Sequence, residues 1–310
     1  MSTVSVIVPA YNATAYLGRA LASVCGQTGV VEVIVVDNNS TDGTPALVQQ
    51  LALDFPVPVR LVHEPEQGAA AARNRGLALA AGVWTQFLDA DDYLLPGKLA
   101  RQLDLTADAD WVIGTSRRLL LDGSVVVTPP AADPWRGLVH NGGVGDTNAN
   151  LIRTAVLRRL GGQRTDLPNN EDNDLYFRLL QAGVRTVADP VPGAVYADRP
   201  GSRLSTSNRP LYRNARFKAE VNAYLRRHRA DYFAAHEGYF NTALLRTLRM
   251  VYTHDPAGAA ALYDAYFPGR FLSYRWDRRL LPWVAVAYPL LGFGRVEWMR
   301  CFVRGGAARG

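Results

Sequence analysis

A chain of 310 residues with 48% hydrophobic and 20% charged side chains has room for one large domain or a domain with an appendage, and is excluded from wholesale disorder. Two cysteines, Cys25 and Cys301, exclude a disulfide framework and a four-thiolate zinc site, and favour a reducing compartment. The net charge of +6 conceals two parts: residues 1–194 hold 15 basic and 20 acidic side chains, residues 195–310 hold 19 and 8.

The first part alternates strand and helix patterns. Residues 4–8 are a short apolar run ended by Pro9, as in a buried parallel strand. Residues 15–25 space Leu17, Leu21 and Val24 as a helix does. Residues 30–36 are a second strand, nearly all Val and Ile, followed by turn residues and a helix that Asp42 or Thr44 can cap. Residues 59–63 read as a third strand, 68–81 as an Ala-rich helix and 84–88 as a fourth strand. This order predicts an α/β fold with a doubly wound, mostly parallel sheet, whose ligands sit at the carboxyl ends of the strands. Patterns then weaken. Residues 111–116, 125–128 and 147–152 read as strands, 173–182 as a helix and 185–189 as a strand. Residues 211–228 and 239–252 read as helices rich in Arg and Tyr.

Five segments fall at strand ends or helix starts. Pro9-Ala-Tyr-Asn12 offers an aromatic ring to a planar base. Asp37-Asn38 opens a polar turn whose groups suit a base N–H or ribose hydroxyls. In the segment 68–76, Gly68 permits close backbone approach and Arg73 can meet phosphate or ribose; no Gly-Lys-Ser/Thr ends it, so it is not a P-loop. Phe87-Leu-Asp-Ala-Asp-Asp92 packs three carboxylates into four residues, and a hard divalent cation relieves their repulsion. Asn169-Asn-Glu-Asp-Asn-Asp174 opens a helix, either as acidic capping or as a carboxylate base beside the metal.

Together these segments resemble family 2 glycosyltransferases, which have the GT-A fold. The resemblance covers about residues 3–205 and rests on Val4-Ser-Val-Ile-Val-Pro-Ala-Tyr-Asn12, Val35-Val-Asp-Asn-Asn-Ser-Thr-Asp-Gly43, Ala72-Arg-Asn-Arg-Gly76, Phe87-Leu-Asp-Ala-Asp-Asp92 and Glu171-Asp-Asn-Asp-Leu175. It implies inverting transfer of a sugar from a nucleotide sugar to an acceptor hydroxyl, in polysaccharide or glycolipid assembly. The nucleotide-sugar residues it implies are Pro9, Ala10, Tyr11, Asn12, Asp37, Asn38, Gly68, Arg73, Asp89, Ala90, Glu171 and Arg199. Asp89 and Asp91 would hold Mn²⁺ or Mg²⁺, and Asp172 would be the general base. Many members carry Asp-Asp where this chain has Asp37-Asn38, the second Asp meeting uracil. Asn38 can accept from a ring N–H and can also donate, so a UDP-sugar leads while dTDP and GDP stay open. Many members also have a His before a Pro-Gly-Ser segment; here Arg199 stands instead, and it or Arg203 can neutralise the diphosphate.

The expected division is a catalytic domain at 1–205 and a helical, basic region at 206–310 for acceptor or membrane association. In the second part, Arg275, Arg278 and Arg279 precede the apolar residues 280–294, and Arg295, Arg300 and Arg304 follow, with Trp276, Trp283 and Trp298 among them. That pattern suits an anionic bilayer surface or a helical subdomain packed on its apolar face. The chain shows neither a secretory signal nor a run of about 20 apolar residues, so a cytoplasmic place is expected, with or without attachment to the inner membrane face. No nucleic-acid module is visible and the histidines lack metal-ligand spacing. Two other readings share some features. A nucleotidyltransferase needs a Gly-rich basic loop after the first strand, which Pro9-Ala-Tyr-Asn12 is not; a silent sugar-nucleotide or membrane-binding module has no need of both Asp91 and Asp172.

Overall fold

The computed structural model describes residues 2–140, 143–167, 170–199, 209–267, 287–288 and 290–307. The chain divides into two compact units, Met1–Ser202 and Arg203–Gly310.

The first unit is built on one mixed sheet. Its first strands are β1 (Val4–Ala10), β2 (Val30–Asp37), β3 (Val59–His63) and β4 (Trp84–Phe87). They lie in the order β3-β2-β1-β4, all parallel. Val4, Val6, Ile7 and Val8 are wholly buried, because parallel strands are covered on both faces. Between the strands run α1 (Leu17–Val24), α2 (Thr44–Ala52) and α3 (Ala69–Leu79). Helix α1 buries Leu17, Ala20, Leu21 and Val24, one face at 3.6-residue spacing. Each buried Leu there contributes about 1.5–3 kcal/mol. Asp42 accepts from the backbone N–H of Thr44 at 2.9 Å, fixing the turn into α2, while Gly43 is the residue at the cap.

Beyond β4 the sheet becomes mixed. The added strands are β5 (Tyr93–Leu94), β6 (Trp111–Leu119), β7 (Val125–Thr128), β8 (Leu151–Arg153) and β9 (Thr186–Ala197). The full order is β3-β2-β1-β4-β8-β6-β9-β5, with β7 paired to β6. Strand β8 is antiparallel to both β4 and β6, and β9 is parallel to β6. The mostly parallel character read from the sequence therefore belongs to the β3-β2-β1-β4 half. Residues 147–152, expected as a strand, are a 3-10 turn at Thr147–Ala149 followed by the short β8. The helices of this half are α4 (Lys98–Asp104), α5 (Pro134–Leu138), α6 (Thr154–Arg159) and α7 (Glu171–Gln181).

The second unit is helical: α8 (Arg209–His228), α9 (Ala230–Tyr252), α10 (Pro256–Tyr266) and α11 (Phe293–Ala307). Ala215 and Ala219 of α8 pack with Leu244, Leu245, Leu248 and Val251 of α9, joined by Tyr263, Tyr288 and Phe293. Tyr263 and Phe293 stack with ring centroids 4.6 Å apart, a pairing that adds about 0.5–1.5 kcal/mol beyond burial. Among the described residues no helix is long and apolar enough to cross a membrane. Cys25 and Cys301 are free and exposed. Most of residues 280–294, together with Arg203, Arg275, Arg278, Arg279, Trp276 and Trp283, lie outside the described residues.

Candidate functional site

Strands β1, β2 and β4 run the same way, so their carboxyl ends open on one edge of the sheet. A cavity of about 380 Å³ lies there. Pro9, Ala10 and Tyr11 line it from the end of β1, and Asn38 from the end of β2. Gly68, Ala69, Ala72 and Arg73 line it from the start of α3, and Asp89, Ala90 and Asp91 from the turn after β4. Tyr196 and Arg199 close it from β9 and the residues that follow. Tyr11 is 55% exposed, so its ring is free to stack on a planar group. Tyr16 and Gln67 also line the cavity; sequence reasoning missed both, since neither lies in a charged or Gly-rich cluster.

Arg73 organises the polar end. Its side chain is buried, and its Nη2 donates to Asp89 at 2.6 Å. Its Nη1 donates to the Gln163 carboxamide at 3.2 Å and stands 3.7 Å from Asp172 and 3.9 Å from Glu171. Burial opposes its charge; Asp89, Asp172 and Glu171 outweigh that and raise its pKa above the ordinary arginine value. The carboxylates after β4 and those opening α7 therefore converge on a single guanidinium. The Gln163 amide donates in turn to Asp172. Gln163 follows Gly161 and Gly162, both at positive φ, where glycine is the unstrained residue. Nothing in the sequence marked it except that glycine pair.

The three aspartates of the turn after β4 meet different surroundings. Asp89 pairs with Arg73. Asp91 pairs with Arg199, whose guanidinium also lies 5.0 Å from the centre of the Tyr16 ring. Burial and then the charge of Asp89 push the Asp91 carboxyl up, and Arg199 pulls it down. Asp92 is fully buried, and burial followed by Asp89 pushes its pKa up to about 8, so it is largely protonated at neutral pH. It accepts from the Ala197 backbone N–H at 3.0 Å and from the Asn148 amide, tying the turn to β9. The mutual repulsion read from the sequence is thus relieved here by two arginines and one buried acid. Asp89 and Asp91 still offer carboxylate oxygens to the cavity, the donor type that Mg²⁺ and Mn²⁺ take. Arg199 already places positive charge on Asp91. Among the described residues no three His, Cys, Asp or Glu side chains are grouped as a complete cage. A pair of carboxylates that shares its ion with phosphate oxygens needs no such cage.

Asn38 is differently employed from the reading of the sequence. Its amide nitrogen donates to the carbonyls of Glu64 at 2.9 Å and Glu66 at 2.7 Å. Its oxygen accepts from the Gly68 N–H at 2.7 Å and from Gln67 at 3.4 Å. The side chain is 3% exposed. These bonds tie its side chain to the loop before α3, where Gly68 has φ +142°. Asp37, Asn12, Glu171 and Asp172 do not line the cavity itself. Asp37 accepts from the Ser40 N–H at 3.3 Å and lies 3.5 Å from His63. Asn12 accepts from the Thr41 N–H at 2.8 Å, bracing the loop after β2. Asn169 lies outside the described residues.

A family model described as Glycosyl transferase family 2 matches residues 5–123. The chain is 32% identical over 251 residues to the succinoglycan biosynthesis protein ExoO of Rhizobium meliloti, spanning 74% of this chain and 69% of that protein. The structure is similar to residues 1–349 of S. aureus TarS in complex with UDP-GlcNAc, with TM-score 0.59 at 19% identity over 98% of this chain and 92% of that one. It is also similar to the mannosyltransferase PcManGT of Pyrobaculum calidifontis in complex with GDP-Man and Mn²⁺, with TM-score 0.52 at 22% identity over 93% of this chain and 87% of that one. These two likenesses show the fold, the GT-A arrangement that the motifs implied.

Proposed function

The chain belongs to glycosyltransferase family 2, and on that premise we propose that it moves a sugar from a nucleoside diphosphate sugar, a UDP-sugar in the first instance, to an acceptor hydroxyl with inversion. Family membership makes it a glycosyltransferase and sets aside the nucleotidyltransferase and the silent binding module. Residues 1–205 are the catalytic domain in this reading, and residues 206–310 serve the acceptor or a membrane surface.

The observation that carries the reading is the convergence of both acidic clusters on Arg73, at one end of a cavity with Tyr11 at its mouth. Tyr11 stacks on the base, and the backbone at Gly68 lies along the nucleotide. Asp89 and Asp91 would hold a divalent ion, which would supply positive charge to offset that of the leaving diphosphate. Asp172, oriented by Gln163 and Arg73, accepts the proton of the acceptor hydroxyl as its oxygen attacks the anomeric carbon. A positioned base of this kind contributes about 10²–10⁴-fold. The likeness to ExoO supports polysaccharide or glycolipid assembly, with a glycan or lipid-linked acceptor.

The test is incubation with a panel of nucleotide sugars, Mn²⁺ and candidate acceptors. Release of nucleoside diphosphate with an inverted linkage is expected. Release of pyrophosphate, or a retained anomeric configuration, overturns the proposal.

A further inference from the structure

The helical unit holds an open pocket of about 380 Å³. Arg246, Arg249 and Met250 line it from one face of α9, at helical spacing i, i+3 and i+4. Leu211, Thr253, His254 and Arg300 line the rest of it.

Two of the arginines are fixed from behind. Glu297 is wholly buried, 3.1 Å from Arg249 and 2.7 Å from Arg300, and accepts from the Tyr288 hydroxyl. One carboxylate thus anchors two guanidiniums, and the trio retains one full positive charge. Arg246, itself engaged with another residue, also lines the wall. The carbonyl end of α9 offsets only about half a charge. Residues 203–310 as a whole carry 18 basic and 7 acidic side chains. Guanidiniums present planar sets of donors that match phosphate oxygens, and ones already held in place lose little freedom on binding.

We propose that this cavity binds a phosphoryl group, with Arg246, Arg249 and Arg300 donating to its oxygens and Leu211 and Met250 touching the apolar part of the molecule that carries it. A phospholipid headgroup and a soluble phosphate ester share that chemistry.

Two measurements on the full chain, without divalent metal, test it. Calorimetric titration with inorganic phosphate is expected to show saturable binding, weakened at least about tenfold by Arg246→Gln and by Arg300→Gln. Arg227→Gln removes the same charge at an exposed position outside the cavity and is expected to change affinity less than about twofold. Arg246 is exposed, so its replacement leaves the packing intact; an unchanged thermal midpoint verifies this. Sedimentation with phosphatidylglycerol and with phosphatidylcholine vesicles separates the two sources. Vesicle binding lost with the same two substitutions assigns the site to a lipid headgroup. Phosphate binding without vesicle binding assigns it to a soluble ester. Absence of saturable phosphate binding, or equal weakening by Arg227→Gln, overturns the proposal.

Discussion

Arg73, on the third helix, and Asp172, on the seventh, meet with 3.7 Å between guanidinium and carboxylate. The same guanidinium holds Asp89 at 2.6 Å, so one buried cation sets the spacing between the proposed base and the proposed metal ligands.

Replacing Arg73 by Met leaves Asp89, Glu171 and Asp172 facing one another without a counter-charge. Losing one partner of a buried ion pair costs about 3–5 kcal/mol. The loss is expected at pH 7 and should shrink toward pH 4, where Glu171, its carboxyl pushed up by burial and then by Asp172, takes up a proton. Urea unfolding of both proteins at the two pH values checks this; an equal loss at both would remove the electrostatic explanation.

Asp172→Asn keeps the side chain's shape and removes its basicity. Turnover is expected to fall by about 10²–10⁴-fold, with nucleotide affinity unchanged within about twofold. Single-turnover assays beside calorimetric nucleotide titration separate the two effects, and unaltered turnover would defeat the assignment.

Arg199 and a divalent ion compete for Asp91. The side chains of this pair are 40% and 17% exposed, and such a contact is worth about 1 kcal/mol at most. Arg199→Ala is therefore expected to strengthen Mn²⁺ binding to the nucleotide-free protein by up to about fivefold. Electron paramagnetic resonance of free Mn²⁺ reads this directly, and weaker Mn²⁺ binding would show that Arg199 aids the ion instead.

Lys218 provides a pH signature in the helical unit. Burial, then Arg246, lowers its pKa from 10.5 to about 8, and its ammonium donates to Thr247 at 2.9 Å. Between those two values the folded chain binds fewer protons than the unfolded chain, so stability from this group rises with pH through that window. It is complete above about 10.5 and lost as pH falls through about 8. Lys218→Met is expected to be more stable than the parent by about 2–3 kcal/mol at pH 7, the gap closing by pH 10.5. Denaturant melts of both at several pH values measure that gap.

The sequence disclosed the parallel half of the sheet because β1 and β2 are nearly continuous apolar runs, interrupted by Ser5 and Glu32, and the short β4 stands between turn residues. It concealed β5 and β8, which have two and three residues, too few to show a period. Strand β9 ran past its expected end at residue 189 despite Pro190 and Pro192. Register shifts beside Gly114 and Thr115 of β6 let the prolines pass without breaking the ladder. The cavity-lining residues at strand ends were legible from Gly, Tyr and carboxylate clusters. The common attachment of Asp89 and Asp172 to Arg73 was not, because it depends on which face of α3 packs inward. The loop contacts of Asn38 were hidden for a similar reason: a carboxamide at a strand end can address its own loop as well as a ligand, and its partners, the carbonyls of Glu64 and Glu66, lie far along the sequence.

The saturated amide of Asn38 has a further meaning for how a donor is chosen. The loop it clasps is held by hydrogen bonds within the folded chain, which lowers the ordering entropy that capture of a nucleotide would cost. In the proposed reaction, discrimination among nucleobases would then fall to ring overlap with Tyr11, and changes in donor preference are expected to map to that surface rather than to the polar turn after the second strand.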